Sequence, residues 1–506
     1  MRTAPLAGIA WIAVGACSLA GLDDYASGDG GAQTGGTGGA HTGDAGPDAP
    51  ACTMCGGGCV DTLVDPENCG GCGVTCAKGY ACLAGVCGNA VIDVAPGHSS
   101  CAALRSGEVW CWGRNVFGEV GIPPAQTDQS CVYSGGSGRC QTTAVKVAGL
   151  SGVVEVAGGR SVACARTGAG EVYCWGSNLS GALGHDPAGD PTCAKAGEPD
   201  LGDPQPCSVV PVRVALPEGV RAAQLAVSAV TACVVTTEKD LYCWGANPAG
   251  EVASPIGGSH WEPRKNPNVN GDAEEVRLNL RNEGDATVCV RQSQTGPVRC
   301  WGSSHGGALF SPSGSWTCPT GPGCDPDAQV VSGAPADTFG IGAYVGCAVK
   351  AGALRCWGDN RYGQMGNGGP NTVHAPEVVA GLPPVAAVSM RLVSTVILAA
   401  DGGVWALGWA DEGQAGDGAF GSGDCPLGNG QRCENTVKQV PGLSGIAKVV
   451  AGNYVMAAIG KTGQLWVWGG NYIAGLGHTP GVGDVPCSGT GSNACSPTPQ
   501  LVSGLP

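Results

Sequence analysis

The residues with the greatest chemical potential are cysteines, of which the 506-residue chain has 29. Ten of them stand in a recurring phrase, a cysteine followed 9 to 11 residues later by Cys-Trp-Gly: Cys101 with Cys111, Cys164 with Cys174, Cys233 with Cys243, Cys289 with Cys300, and Cys347 with Cys356. Thiols spaced in this way can ligate a metal, exchange electrons or close disulfides. A second group fills residues 52–88: Cys52, Cys55, Cys59, Cys69, Cys72, Cys76, Cys82 and Cys87. Its pairs Cys52/Cys55 and Cys69/Cys72 have zinc-knuckle spacing, so zinc competes with disulfides there. No histidine lies nearby, and four disulfides are expected, with the connectivity open.

Other catalytic signatures fail on context. Gly302-Ser-Ser304-His-Gly306 matches Gly-x-Ser-x-Gly, but it follows a Trp-Gly pair and lacks the strand-to-helix turn that exposes a nucleophile. The histidines (His41, His98, His185, His260, His305, His374, His478) stand singly and read as polar loop residues. There is no His-Glu-x-x-His, phosphate loop or dinucleotide fingerprint, and neither Asp23-Asp24 nor Asp424 has calcium-loop spacing. No catalytic residue, metal or cofactor is expected, and the chain is not expected to be an enzyme.

Charge and redox usage narrow the partners. Lys+Arg total 26 against Asp+Glu 41, a formal charge of −15, with no basic cluster to meet phosphates, so nucleic acid is excluded as a partner. So many cysteines imply an oxidising, extracytoplasmic compartment. Ninety glycines and 35 prolines disfavour helices and favour a turn-rich β protein.

The elements that position the cysteines repeat seven times. Each copy has an alternating apolar strand, a turn, a strand with the first cysteine, a Gly turn and a third strand ending in Cys-Trp-Gly. Copy two reads Val153-Val-Glu-Val, then Val162-Ala-Cys-Ala, then Glu171-Val-Tyr-Cys-Trp-Gly. An Asn and spaced glycines follow, as in Asn360-Arg-Tyr-Gly363, before a fourth strand preceded by proline, as at Pro211, Pro376, Pro441 and Pro499. In copies six and seven both cysteines are replaced together, by Val396 with Ala406 and by Ala457 with Val467. Joint loss is what bonded partners predict, so the phrase reads as a hairpin disulfide beside a core tryptophan.

Four short strands in each of seven copies describe an all-β, seven-bladed β-propeller. First-strand positions facing the central channel read mostly as Val, Ala and Gly, which disfavours paired catalytic carboxylates. Copy spacing varies between the Trp-Gly turn and the fourth strand. Five insertions there hold a cysteine pair each: Cys131/Cys140, Cys193/Cys207, Cys318/Cys324, Cys425/Cys433 and Cys487/Cys495. Each reads as a local staple on a loop of one common face. Tyr133, Arg139, Trp261, Arg264 and Trp316 are the candidate binding anchors in these loops.

The copy consensus resembles the regulator of chromosome condensation repeat family over residues 90–506. That resemblance implies the same propeller. The last strand, near Pro499-Gln-Leu-Val502 with no copy after it, is expected to complete the blade begun near Val91. The family's nucleotide exchange on a nuclear GTPase is not carried over to an extracytoplasmic chain. Residues 1–16 end in Val14-Gly-Ala16 before Cys17, which resembles a bacterial lipobox and implies cleavage there and acylation of Cys17. Ser18 implies outer-membrane sorting, facing either the periplasm or the outside. Residues 17–51 are a Gly-rich linker with little to bury, read as a flexible tether. Residues 52–88 resemble short disulfide-rich modules of envelope lipoproteins. The expectation is a monomeric lipoprotein held at the membrane by its lipid anchor, with the propeller as a binding or scaffold module for a protein or glycan ligand. An inhibitor of a secreted or envelope enzyme, by resemblance to a β-lactamase-inhibitor propeller, a glycan-active hydrolase or lyase, and a purely structural surface protein without a specific ligand are the alternatives.

Overall fold

The computed structural model describes residues 53–506 apart from 56–57, 63–64, 66, 77–79, 84, 134–135, 194–204, 253–255, 280–284, 294–295, 304–315, 319–320, 370–372, 429 and 488–493. Residues 1–16, Cys17, the linker, Cys52 and the Ser304 motif lie outside the described residues, as do the side chains of Cys59, Tyr133, Trp316, Cys318 and Cys324.

Seven antiparallel sheets follow one another in the chain from Val91 to Leu501. Blade 1 takes Val91–Ala95, Ser99–Leu104, Val109–Arg114 and Gly136–Lys146 in that order from the axis outward. Blade 7 takes Ile446–Ala451, Val455–Gly460, Leu465–Gly470 and Ala494–Leu501 in the same order. First strands of neighbouring blades meet around the axis, as their contacts from blade 1 through blade 7 show. The whole is a seven-bladed β-propeller.

The final strand corrects the expected closure. Ala494–Leu501 pairs with Leu465–Gly470 of its own blade, so no strand is shared across the seam. The ring closes face to face instead. Val91, Val94, Leu104 and Trp112 of blade 1 pack with Val455, Ile459 and Leu465 of blade 7. The Val91 N–H donates to Gly463 O at 3.0 Å, and the Asn89 N–H to Pro506 O at 2.6 Å. The prolines are also reassigned: Pro211, Pro376 and Pro499 lie within the fourth strands Gln205–Arg213, Val373–Val378 and Ala494–Leu501 rather than before them, and blade 6's fourth strand, Arg432–Gln439, ends before Pro441.

Six of the seven Trp-Gly positions hold a fully buried tryptophan, the exception being Leu407 in blade 6. Five of these indoles are seen to reach back one blade. Trp175 donates to Glu119 O at 2.8 Å, Trp244 to Ala182 O at 2.9 Å, Trp301 to Glu251 O at 3.0 Å, Trp468 to Gln414 O at 2.9 Å, and Trp112 to Gly475 O at 2.9 Å. The tryptophan therefore fills the space between blades and fixes the preceding blade's loop, satisfying its own N–H in the process. The glycine after it has φ between 94 and 109°, and a Cβ there would strike the carbonyl oxygen of the turn between the first two strands. The following Asn locks the loop by accepting from the backbone N–H five residues on: Asn115 from Val120, Asn178 from Leu183, Asn247 from Val252, Asn360 from Met365 and Asn471 from Leu476.

The hairpin cysteines stand directly opposite each other in register and form disulfides in all five blades that carry them, with Cα atoms 4.0 to 4.1 Å apart. Val396 opposes Ala406, and Ala457 opposes Val467, in the same register. Four loop staples are also formed: Cys131–Cys140, Cys193–Cys207, Cys425–Cys433 and Cys487–Cys495. The sequence did not reveal what these loops build. The five blades with loop cysteines have a fifth, outermost strand, whereas among the described residues blades 3 and 5 have four. Each insertion folds back along the first half of its own fourth strand, and the staple sits where the two meet.

In the module before the propeller, Cys55 is bonded to Cys72, Cys69 to Cys82, and Cys76 to Cys87. Sulfurs of Cys69, Cys76 and Cys87 form the single grouping of metal-type ligand atoms among the described residues, and all three are already in disulfides. The described bonds support the disulfide reading over zinc. So many disulfides fit an oxidising compartment. Among the described residues no helix is long and apolar enough to cross a membrane.

Candidate binding face

In an antiparallel blade the turn between strands one and two and the turn between strands three and four emerge at the same end. Here they are hydrogen-bonded to one another in every blade. The residue after Trp-Gly donates its N–H to the first turn: Arg114 to His98 O, Ser177 to Ser161 O, Ala246 to Val230 O, Ser303 to Ala286 O, Asp359 to Tyr344 O, Trp409 to Val393 O and Gly470 to Tyr454 O. This seven-fold rung defines the inner rim of one face, around the mouth of the channel.

The side chains on that rim are unequal. Blades 5, 6, 7, 1 and 2 carry aromatic or arginine residues, whereas blade 3 carries Ala229, Val230 and Ala246. Tyr454 sits at the centre of an aromatic group. Its ring meets His98 and Trp409, each at 5.5 Å with edge-to-face geometry, and Tyr472 at 5.8 Å. Its backbone has φ of 64°, a left-handed conformation that a bulky side chain rarely adopts. In blade 5, Arg361 lies over the Tyr344 ring at 4.6 Å and is held by Asp359.

Three arginines surround His98. The Arg114 guanidinium donates to Glu119 at 3.3 Å, to Arg160 O at 3.1 Å and to Ser161 Oγ at 3.2 Å. Arg391, at the end of blade 6's first strand, crosses the axis and donates to Gly158 O of blade 2 at 2.6 Å and to Val227 O of blade 3. Burial and then the charges of Arg114, Arg160 and Arg391 push the His98 imidazole down to about 3, so it is neutral. Burial alone lowers Arg391 to about 10. Burial, followed by neighbouring Asp411, raises Glu412 well above the usual carboxylate range.

Deeper in the channel the expected Val, Ala and Gly lining is corrected in part. Ala95, Ala157, Ala226, Arg277 and Gly340 occupy equivalent positions in blades 1 to 5, and two residues earlier stand Asp93, Glu155, Gln224, Glu275 and Thr338. The four before Thr338 are acceptors that tie each blade to the next. Asp93 receives the Val156 N–H at 3.0 Å, Glu155 the Leu225 N–H at 3.2 Å, Gln224 the Val276 N–H at 2.8 Å and Glu275 the Thr338 hydroxyl at 3.0 Å. Lys448 closes the belt onto Asp93 at 2.6 Å.

The anchors expected from the sequence lie elsewhere and are not brought together. Trp261 is 41 % exposed on blade 3's outer strand and packs over the Gly181 turn of blade 2. Arg264 is exposed three residues further along that strand. Arg139, in blade 1's fourth strand, is half-buried and its carbonyl accepts from Asn115. Tyr133 and Trp316 lie on the outermost strands of blades 1 and 4. The structure instead gathers His98, Arg114, Arg160, Arg391, Trp409, Tyr454 and Tyr472. A usable signal existed: aligning the seven copies on Trp-Gly exposes two columns, at the following residue and in the first turn, where the repeat does not fix the side chain.

The architecture defines a disulfide-rich, seven-bladed β-propeller, and its repeats are similar to those of the RCC1 family. The family model described as Regulator of chromosome condensation (RCC1) repeat matches residues 352–390, and a second with the same description matches 97–119 and 153–182. The chain is 27% identical over 319 residues to the E3 ubiquitin-protein ligase HERC2 of Homo sapiens, covering 62% of this chain and 6% of that protein. It is 27% identical over 314 residues to the secretion-regulating guanine nucleotide exchange factor of Bos taurus, covering 58% of this chain and 61% of the relative. Among solved structures it resembles Prp20p from Saccharomyces cerevisiae, a protein with binding properties to Gsp1p and histones, with a TM-score of 0.58, 18% identity, and coverage of 82% and 87% of the two chains. That likeness concerns the fold.

Proposed function

We propose that this chain is a lipid-anchored binding module of the bacterial cell envelope that engages a protein partner at the channel mouth. The observation that carries the reading is the convergence of Tyr454, Trp409, Tyr472 and three arginines on one rim, the composition that dominates protein-binding hot spots. Binding rather than turnover is supported by the axial carboxylates, which are occupied in ties between blades. The protein-binding RCC1-type relative lends further support. In this reading Cys17 is acylated, residues 17–51 are the tether, and the propeller acts as a monomer. Inhibition of an envelope or secreted enzyme is a narrower version of the same activity.

The test is cross-linking capture from intact cells with the wild type, Arg160→Ala and Tyr454→Ala. The wild type captures a defined partner that both variants lose while retaining their circular dichroism spectrum. Capture of the same partner by all three would overturn the reading.

A further inference from the structure

We infer that the mouth takes a carboxylate, presented by an acidic loop or peptide of the partner and seated between Arg160 and Arg391. This deepens the reading above and rests on it. A buried or half-buried cation is costly unless paired. Among the described residues no carboxylate lies within ion-pair distance of either guanidinium, although the chain as a whole carries a charge of −15. Arg114 beside them is already paired with Glu119.

Arg391 is held by two backbone carbonyls, which orient its guanidinium without neutralising it, and its Nε is enclosed without an acceptor. The remaining groups at the rim do not supply the missing charge. His98 Nδ1 accepts from the Asn453 side-chain amide at 3.4 Å, and the imidazole carries no proton charge to compete for an anion. Asp411 accepts from the Trp409 indole and the Arg432 N–H rather than from either arginine, and burial, followed by neighbouring Asp411, raises the Glu412 carboxyl well above its usual range. Asp359 is taken up by Arg361.

Two features favour a carboxylate borne by protein. Guanidinium groups recognise planar carboxylates through paired N–H donors, and the rings of Tyr454 and Trp409, packed edge to face on the same rim, offer apolar edges suited to flanking peptide side chains. In addition, the left-handed backbone at Tyr454 and at Leu392, beside Arg391, holds the two sides of the mouth in conformations that L residues seldom keep without a use.

The full chain is titrated with the peptides acetyl-Phe-Glu-Phe-amide and acetyl-Phe-Gln-Phe-amide, and with oligogalacturonate, following tryptophan fluorescence and calorimetry. The Glu peptide is expected to bind at least tenfold more tightly than the Gln peptide. Arg160→Gln and Arg391→Gln are each expected to remove that preference, and Arg391→Lys guards against a folding defect by keeping the charge. Equal or absent binding of the two peptides, with partner capture still sensitive to Arg160→Ala, overturns the carboxylate and leaves the binding face intact. Preference for oligogalacturonate over the Glu peptide overturns the protein source. Partner capture insensitive to every mouth variant overturns the underlying reading.

Discussion

The interior of the repeat and the rim of the mouth are built from the same seven copies, yet they follow opposite rules. Inside, the copies agree: a tryptophan reaches back to the preceding loop, a glycine admits the neighbouring carbonyl, and opposed cysteines are either bonded or replaced as a pair. At the rim the copies disagree, with His98, Tyr344 and Tyr454 in blades 1, 5 and 7 where blades 2, 3 and 6 place Ser161, Val230 and Val393. Agreement marks what every blade needs in order to pack. Disagreement at a site the scaffold holds rigidly is where the proposed partner would be read.

If that division is right, interior changes lower stability and leave binding specificity alone, and rim changes do the reverse. The largest interior effect is expected for Trp175→Ala, which empties the space between blades 1 and 2 and leaves Glu119 O without its donor. Thermal and urea unfolding should show a loss of about 3–5 kcal/mol.

Next comes Glu251, buried in the blade 3 loop and pushed up to about 7 chiefly by burial. Its folded value exceeds the unfolded one, so its contribution is fully present below about pH 4.5 and is lost as pH rises towards 7. At about 1.4 kcal/mol per unit, the loss is on the order of 3 kcal/mol, and Glu251→Gln should flatten that stretch of the stability profile. Gln364 and Gln414 already stand at the same loop position and accept the same backbone N–H two residues earlier.

The hairpin staples rank third. Cys164→Ala with Cys174→Ala should cost about 2–3 kcal/mol, and Val396→Cys with Ala406→Cys should recover up to about as much in blade 6, since those residues already oppose each other. The smallest stability effect belongs to the rim: Arg160→Ala should shift unfolding by less than about 1 kcal/mol while abolishing partner capture. A rim variant that unfolds the protein, or an interior one that redirects its partner, would break the division.

Most of the propeller could be read from the sequence because its period is written seven times, and strand alternation and paired cysteine loss speak for each copy separately. Closure could not. A last strand added to the first blade and one kept in its own blade have the same alternation, and the choice depends on which edge Ala494–Leu501 meets. The fifth strands were hidden because their segments are short and polar, so only the staples betrayed that something folded there. The mouth was least legible. Residues 98, 114, 160, 391 and 454 are ordinary loop or strand-end residues until the ring brings them around one axis. Attention to long insertions pointed outward to Trp261 and Trp316, whereas the unpaired charge lies at the centre.

Because every blade is one unbroken stretch of chain, the seam between blades 7 and 1 has the same construction as the other six. Asn89 and Pro506 already touch there. A circular permutant that joins these ends and opens the chain in any inter-blade turn should therefore fold to the same ring. Duplication or loss of a whole blade likewise leaves no half-made sheet behind, so this architecture can change its number of blades, and with it the width of its mouth, in single steps.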